Sequence, residues 1–119
     1  MDIGVVFPTT EMGQDRAVLR DWLQTADGLG FSHVLLDDHV VGAEHENRDP
    51  PLANAYKIDD LFHEPLTFAA WGAGVTQNLG FVTGVLVLPQ RQTVLVAKHA
   101  AQVAILNDNR FRLGVGVGW

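Results

Sequence analysis

Asp37, Asp38 and His39 stand together where the apolar stretch "VLLDDHVVG" (residues 34–42) turns polar. Two carboxylates beside an imidazole can hold, orient and move a proton, because imidazole titrates near neutrality and a neighbouring carboxylate fixes its tautomer. At a plain surface turn any polar residues would serve. The triplet therefore bears on function only if the strand before it opens into a pocket. His33, His63 and His99 lack such placement and read as structural or exposed. The run "DDHVVGAEHE" also gathers His39, His45, Glu44 and Glu46 with the two aspartates, but its spacing matches no metal signature. A solvated acidic loop explains it more simply, and no metal is expected.

The elements that must position the triplet can be read from four short apolar runs: 3–7, 34–36, 81–88 and 111–117. Uninterrupted Val/Leu/Ile runs of this length suit strands covered on both faces, as in a parallel sheet. Helical patterns separate them. From Asp15 to Leu29 the residues Val18, Leu19, Trp22, Leu23, Ala26 and Leu29 share one face, and Gly30 is placed to end the helix. A second helix is expected from Glu64-Pro65 to near Asn78, and a third from Gln92 to Leu106, closed by the turn "NDN" (107–109). The order β-α-β-α-β-α-β predicts an α/β fold. One segment, about 40–63, is too polar and Pro-interrupted for core, and directly after "DDH" it reads as a binding loop.

Ligands of parallel α/β folds collect at the carboxyl ends of the strands. Those ends carry Pro8 to Thr10, Asp37 to His39, Pro89 to Arg91, and Gly118 with Trp119. "DDH" thus lies where a site belongs. "LGVGVGW" (113–119) fails as a dinucleotide fingerprint, since Trp119 occupies the third glycine's place. Its alternating glycines leave one strand face bare, for tight packing or for a flat ring. Gly84 inside a strong strand marks a bulge or a close approach. Arg91 either binds an anion or pairs with the acidic surface.

Composition narrows the classes further. With 119 residues, 47% hydrophobic, 18% charged and net charge −6, the chain is expected to form one well-buried domain. No Lys/Arg cluster is present, so neither nucleic acid nor an anionic membrane surface is an expected partner. The chain has no cysteine, which removes disulfide and thiolate chemistry and fits a reducing cytoplasm. "MDIGVVFP" lacks a signal peptide's basic region and length, and a cytoplasmic location is expected.

Taken together, "MDIGVVFP", "ADGLGFSHVLLDDHV" (26–40) and "TGVLVLPQRQTVLVAKHAAQVAILNDNRFRLGVGVGW" (83–119) resemble the luciferase-like monooxygenase superfamily, in its coenzyme F420-dependent oxidoreductase branch. The resemblance implies a (β/α)8 TIM-type barrel. A whole barrel takes about 250 residues, so residues 1–119 are expected to be its N-terminal half. It further implies that His39 is the catalytic acid/base residue and that Asp38, Gly84, Val85, Val117 and Gly118 bind the cofactor. Gly84-Val85 falls where the family has a non-proline cis peptide. Some members carry a glutamate where this chain has Trp119, so that acid/base group is missing here. The implied activity is hydride transfer between a deazaflavin and a small organic substrate. FMN-dependent oxygenation on the same barrel is the alternative cofactor chemistry, and a non-catalytic half barrel serving assembly or binding is the alternative of another class. Open edges on a half barrel point to a homo-oligomer or to a complementing second half.

Overall fold

The computed structural model describes residues 1–52 and 56–118. Trp119, at the end of the fourth apolar run, lies outside the described residues. The strands are β1 (Gly4–Val6), β2 (His33–Leu36), β3 (Gly80–Thr83), β4 (Leu86–Val87), β5 (Phe111–Arg112) and β6 (Val115–Gly116). The helices are α1 (Arg16–Gly28), α2 (Pro65–Val75) and α3 (Thr93–Leu106), with a 3-10 turn at Leu88–Gln90. A parallel sheet runs β1-β2-β3-β5, and a two-stranded parallel sheet pairs β4 with β6. The α/β architecture read from the sequence is the one observed. No helix among the described residues is long and apolar enough to cross a membrane.

Local chemistry sets the helix ends. Asp15 caps α1 by accepting the Ala17 N–H at 2.8 Å, and Gly30 leaves it with φ +82°, where a side chain would be strained. Glu64 caps α2 by accepting the Thr67 N–H at 2.7 Å, with Pro65 at the first helical position. Gln92 caps α3 through the Leu95 N–H at 2.7 Å. Helix α2 ends at Val75, short of the expected Asn78. The Asp27 carboxylate draws the chain off the helix there, accepting the N–H groups of Gln77 at 2.7 Å and Asn78 at 3.1 Å.

The third and fourth apolar runs are not continuous strands. Each breaks in two, at Gly84-Val85 and at Leu113-Gly114. The Gly84-Val85 peptide is cis, as the glycine and the resemblance led us to expect. Thr83 bridges the break with its side chain, its hydroxyl donating to the Gly114 carbonyl at 2.8 Å and accepting the Gly114 N–H at 2.9 Å. Backbone pairing resumes with Leu86 N–H to the same carbonyl at 2.8 Å.

Register divides the sheet into two faces. Val5, Val34, Phe81 and Phe111 form one row across the four strands and pack into the core with Leu19, Leu23, Phe68, Ala69, Val96 and Val103 of the helices. Val6, Leu35, Val82 and Arg112 form the row on the opposite face, outside that core. In a closed barrel this second face is the interior.

Candidate functional site

Side chains alternate across a strand, and β2 carries the alternation beyond its end. Val34, Leu36 and Asp38 are buried; His33, Leu35, Asp37 and His39 alternate with them and are partly exposed. Asp38 and Asp37, adjacent in sequence, therefore go to opposite sides and into different chemistry.

The side chain of Asp38 is 1% exposed and fully engaged. Arg91 donates to it through Nη2 to Oδ1 at 2.6 Å and through Nε to Oδ2 at 3.2 Å, and the Val87 N–H reaches Oδ2 at 2.8 Å. Arg91 continues through Nη1 to Glu64 Oε1 at 3.0 Å. One guanidinium thus ties the end of β2 to the α2 cap, and one carboxylate ties it to β4. A planar fork matched to a carboxylate makes the pair directional as well as charged. Of the two readings of Arg91, pairing with acidic residues is the one observed.

Asp37 and His39 line a cavity of about 180 Å³ together with Asp38, Tyr56, Gly84, Val85, Val87, Gln90 and Gly118. Its polar wall includes Asp37, His39 and Tyr56. Gly84 and Gly118 also line it and present backbone without a side chain, while Val85 adds an exposed isopropyl group. Gly118 has φ +72°, and a Cβ there would come 2.9 Å from Val87 Cγ1, so both conformation and space call for glycine. Val117 is 81% exposed and lies on an adjoining groove with Leu88, Pro89 and Arg91 rather than in this cavity.

From the segment 40–63, Tyr56 and Phe62 return to His39. The His39 ring centroid lies 5.2 Å from that of Tyr56 and 4.5 Å from that of Phe62, and Tyr56 meets Phe62 edge-on at 5.0 Å. Burial raises the Asp37 carboxyl above its ordinary value of 3.8, while nearby His39 opposes the shift. Burial also raises the Tyr56 phenol, with further contributions from Asp37, Glu11 and Asp60. His63 takes a structural place, Nε2 lying 3.1 Å from the Gly13 carbonyl oxygen and its ring stacked on Phe68. His33 sits 2.9 Å from the Ser32 hydroxyl through Nδ1. No cluster of three or more metal-ligating side chains occurs among the described residues.

Tyr56 escaped the sequence reading of the site, and Asp37, singled out there beside Asp38 and His39, received no role from the resemblance. Strand parity from Leu35 would have selected Asp37, had covered strands not hidden the alternation. Tyr56 is 17 positions beyond His39, across irregular chain, and no local pattern signals its return.

With this geometry in view, the comparisons are informative. The luciferase-like monooxygenase family model matches residues 1–119, and the chain belongs to that family. Uncharacterised proteins of Mycobacterium tuberculosis and Mycobacterium bovis are each 35% identical over 97 residues, covering 78% of this chain and 34% of theirs. The chain spans about a third of the length of these relatives. Among solved structures, the FMN-complexed oxygenating constituent of 3,6-diketocamphane monooxygenase from Pseudomonas putida superposes with TM-score 0.73 at 20% identity, over 100% of this chain and 30% of that one. The coenzyme F420-dependent tetrahydromethanopterin reductase of Methanopyrus kandleri gives TM-score 0.69 at 14% identity, over 99% and 27%. At these identities the likeness is one of fold.

Proposed function

We propose that this chain forms the reactive-ring side of a coenzyme F420-dependent oxidoreductase acting on a small organic substrate. The observation carrying this reading is one cavity that His39 and Asp37 line together with the side-chain-free backbone of Gly84 and Gly118 and the Val85 side chain. A flat tricyclic ring would lie against the backbone of Gly84 and Gly118 and the isopropyl group of Val85, which would hold it there. Bound deazaflavin supplies a hydride donor or acceptor. The chain's own contribution is proton handling by His39, oriented by Tyr56 and Phe62 packed on its ring. Asp38 would act on the cofactor indirectly, by fixing the β2 end and β4 relative to each other. The rest of a barrel, from a further segment or a second copy, would bind the cofactor's tail.

Fluorescence titration of the purified protein with F420 and with FMN tests the proposal. Saturable F420 binding, tighter than FMN and weakened by Gly118→Val, is the expected result. Tighter FMN binding would transfer the site to flavin chemistry, and no saturable binding of either would remove the cofactor assignment.

A further inference from the structure

The proposed function leaves one cavity carboxyl without a task. Asp37 makes no hydrogen bond or ion pair among the described residues, whereas both oxygens of adjacent Asp38 are held. It also occupies a junction. Besides the cavity it shares with His39, it lines a neighbouring, more polar cleft with Thr9, Thr10, Glu11, Tyr56 and Asp60.

We propose that Asp37, rather than Asp38, is the second catalytic residue of this cavity: the carboxyl that exchanges a proton with the oxygen of a carbonyl or alcohol substrate, and with water through the Glu11–Asp60 cleft. The inference rests on the cofactor reading above for its hydride. As the carbonyl carbon gains that hydride, the oxygen takes the proton of Asp37, giving an alcohol and an aspartate carboxylate. Water in the cleft then returns a proton to the carboxylate. The reverse direction uses Asp37 as base for the hydroxyl proton.

Three features make Asp37 suited to this work. Its position on the same strand side as His39 places two proton-carrying groups on one wall. Its partial burial disfavours the charged form, so the carboxyl holds its proton to higher pH than its ordinary value. The groups facing it are His39 on its own segment, Tyr56 and Asp60 from the returning loop, and Glu11 after β1. Burial raises the carboxyl, and His39 opposes it by favouring the carboxylate.

The test uses the full chain with carboxyl-¹³C aspartate, followed by NMR from acid to neutral pH, with Asp37→Asn as the assignment control. Asp37 is expected to titrate above the ordinary aspartate value of 3.8. In parallel, F420 affinity is measured across the same pH range. Because the cofactor is anionic, affinity should fall as Asp37 ionises, by about tenfold if loading moves its pKa by one unit. Asp37→Asn should flatten that profile while retaining the wild-type circular dichroism spectrum. Titration of Asp37 at or below 3.8 would overturn the proposal, as would an unchanged pH profile in Asp37→Asn. If Asp37 titrates high but neither F420 nor FMN binds, the cofactor reading fails while Asp37 stands as the cavity's proton-holding group.

Discussion

Arg91 grips Asp38 through two nitrogens, at 2.6 and 3.2 Å, and the pair is nearly buried, with side-chain exposures of 15% and 1%. Breaking such a pair from one side strands a buried charge, at a cost of about 3–5 kcal/mol. Arg91→Met should therefore lower the urea midpoint strongly. Arg91→Lys should cost less, since it keeps the charge but loses the fork. Arg91→Met combined with Asp38→Asn should recover part of the loss. Equal midpoints for wild type and Arg91→Met would show that the pair contributes little.

Gly84 touches β2 directly. A Cβ there would lie 2.7 Å from Leu35 Cγ and Cδ1, closer than packed carbons approach. Gly84→Ala should cost about 1–3 kcal/mol, as overpacked positions do. Adding Leu35→Ala should relieve the clash, leaving the double variant less destabilised than the sum of the two singles. Strict additivity in chemical denaturation would place the cost elsewhere.

Asp37 links stability to pH. Its folded-state pKa is raised above 3.8 by burial, so its favourable contribution is complete below that value and is lost as pH rises through the folded-state pKa. Asp37→Asn does not ionise and escapes that loss. Its melting temperature relative to wild type should rise between acid and neutral pH. A gap independent of pH would contradict the burial effect.

How much of this was visible in the sequence follows from how local each cause is. Helix ends were legible because Asp15, Glu64-Pro65 and Gln92 act within three residues of themselves. The end of α2 was not, because Asp27 sets it from 50 positions away. The breaks in the third and fourth runs were hinted at only by Gly84; Thr83 and Gly114 complete the junction by a contact between strands. At the site, the placement of His39 at the β2 end and the break at Gly84-Val85 were legible, whereas the division between Asp37 and Asp38 needed Arg91, which arrives from beyond α2, β3, β4 and the 3-10 turn.

Among the described residues no strand pairs with the outer edges of β1 and β5, and Val6, Val85, Val115 and Val117 are exposed. Unpaired edges with uncovered apolar side chains favour association. Light scattering at low micromolar concentration should give a mass above that of one chain, through a second copy or a complementing barrel segment. A stable single-chain mass with cooperative unfolding would show that the sheet tolerates these edges unaided.

His39→Ala should separate catalysis from binding. Loss of an acid/base group costs about 10²–10⁴ in rate, whereas ring binding rests on shape, so F420 affinity should change far less than turnover. Equal losses in both would make His39 a binding residue.

The central claim, that a deazaflavin ring lies between His39 and the Gly84-Val85 wall, is tested most directly by methyl NMR of the labelled chain as F420 is added. The account predicts saturable shifts of the Val85 and Val87 methyls and the His39 ring, with buried Leu19 and Val103 unmoved. Shifts confined to the Val18–Leu29 groove beside α1, or no shifts at Val85 and Val87 at saturation, would contradict it.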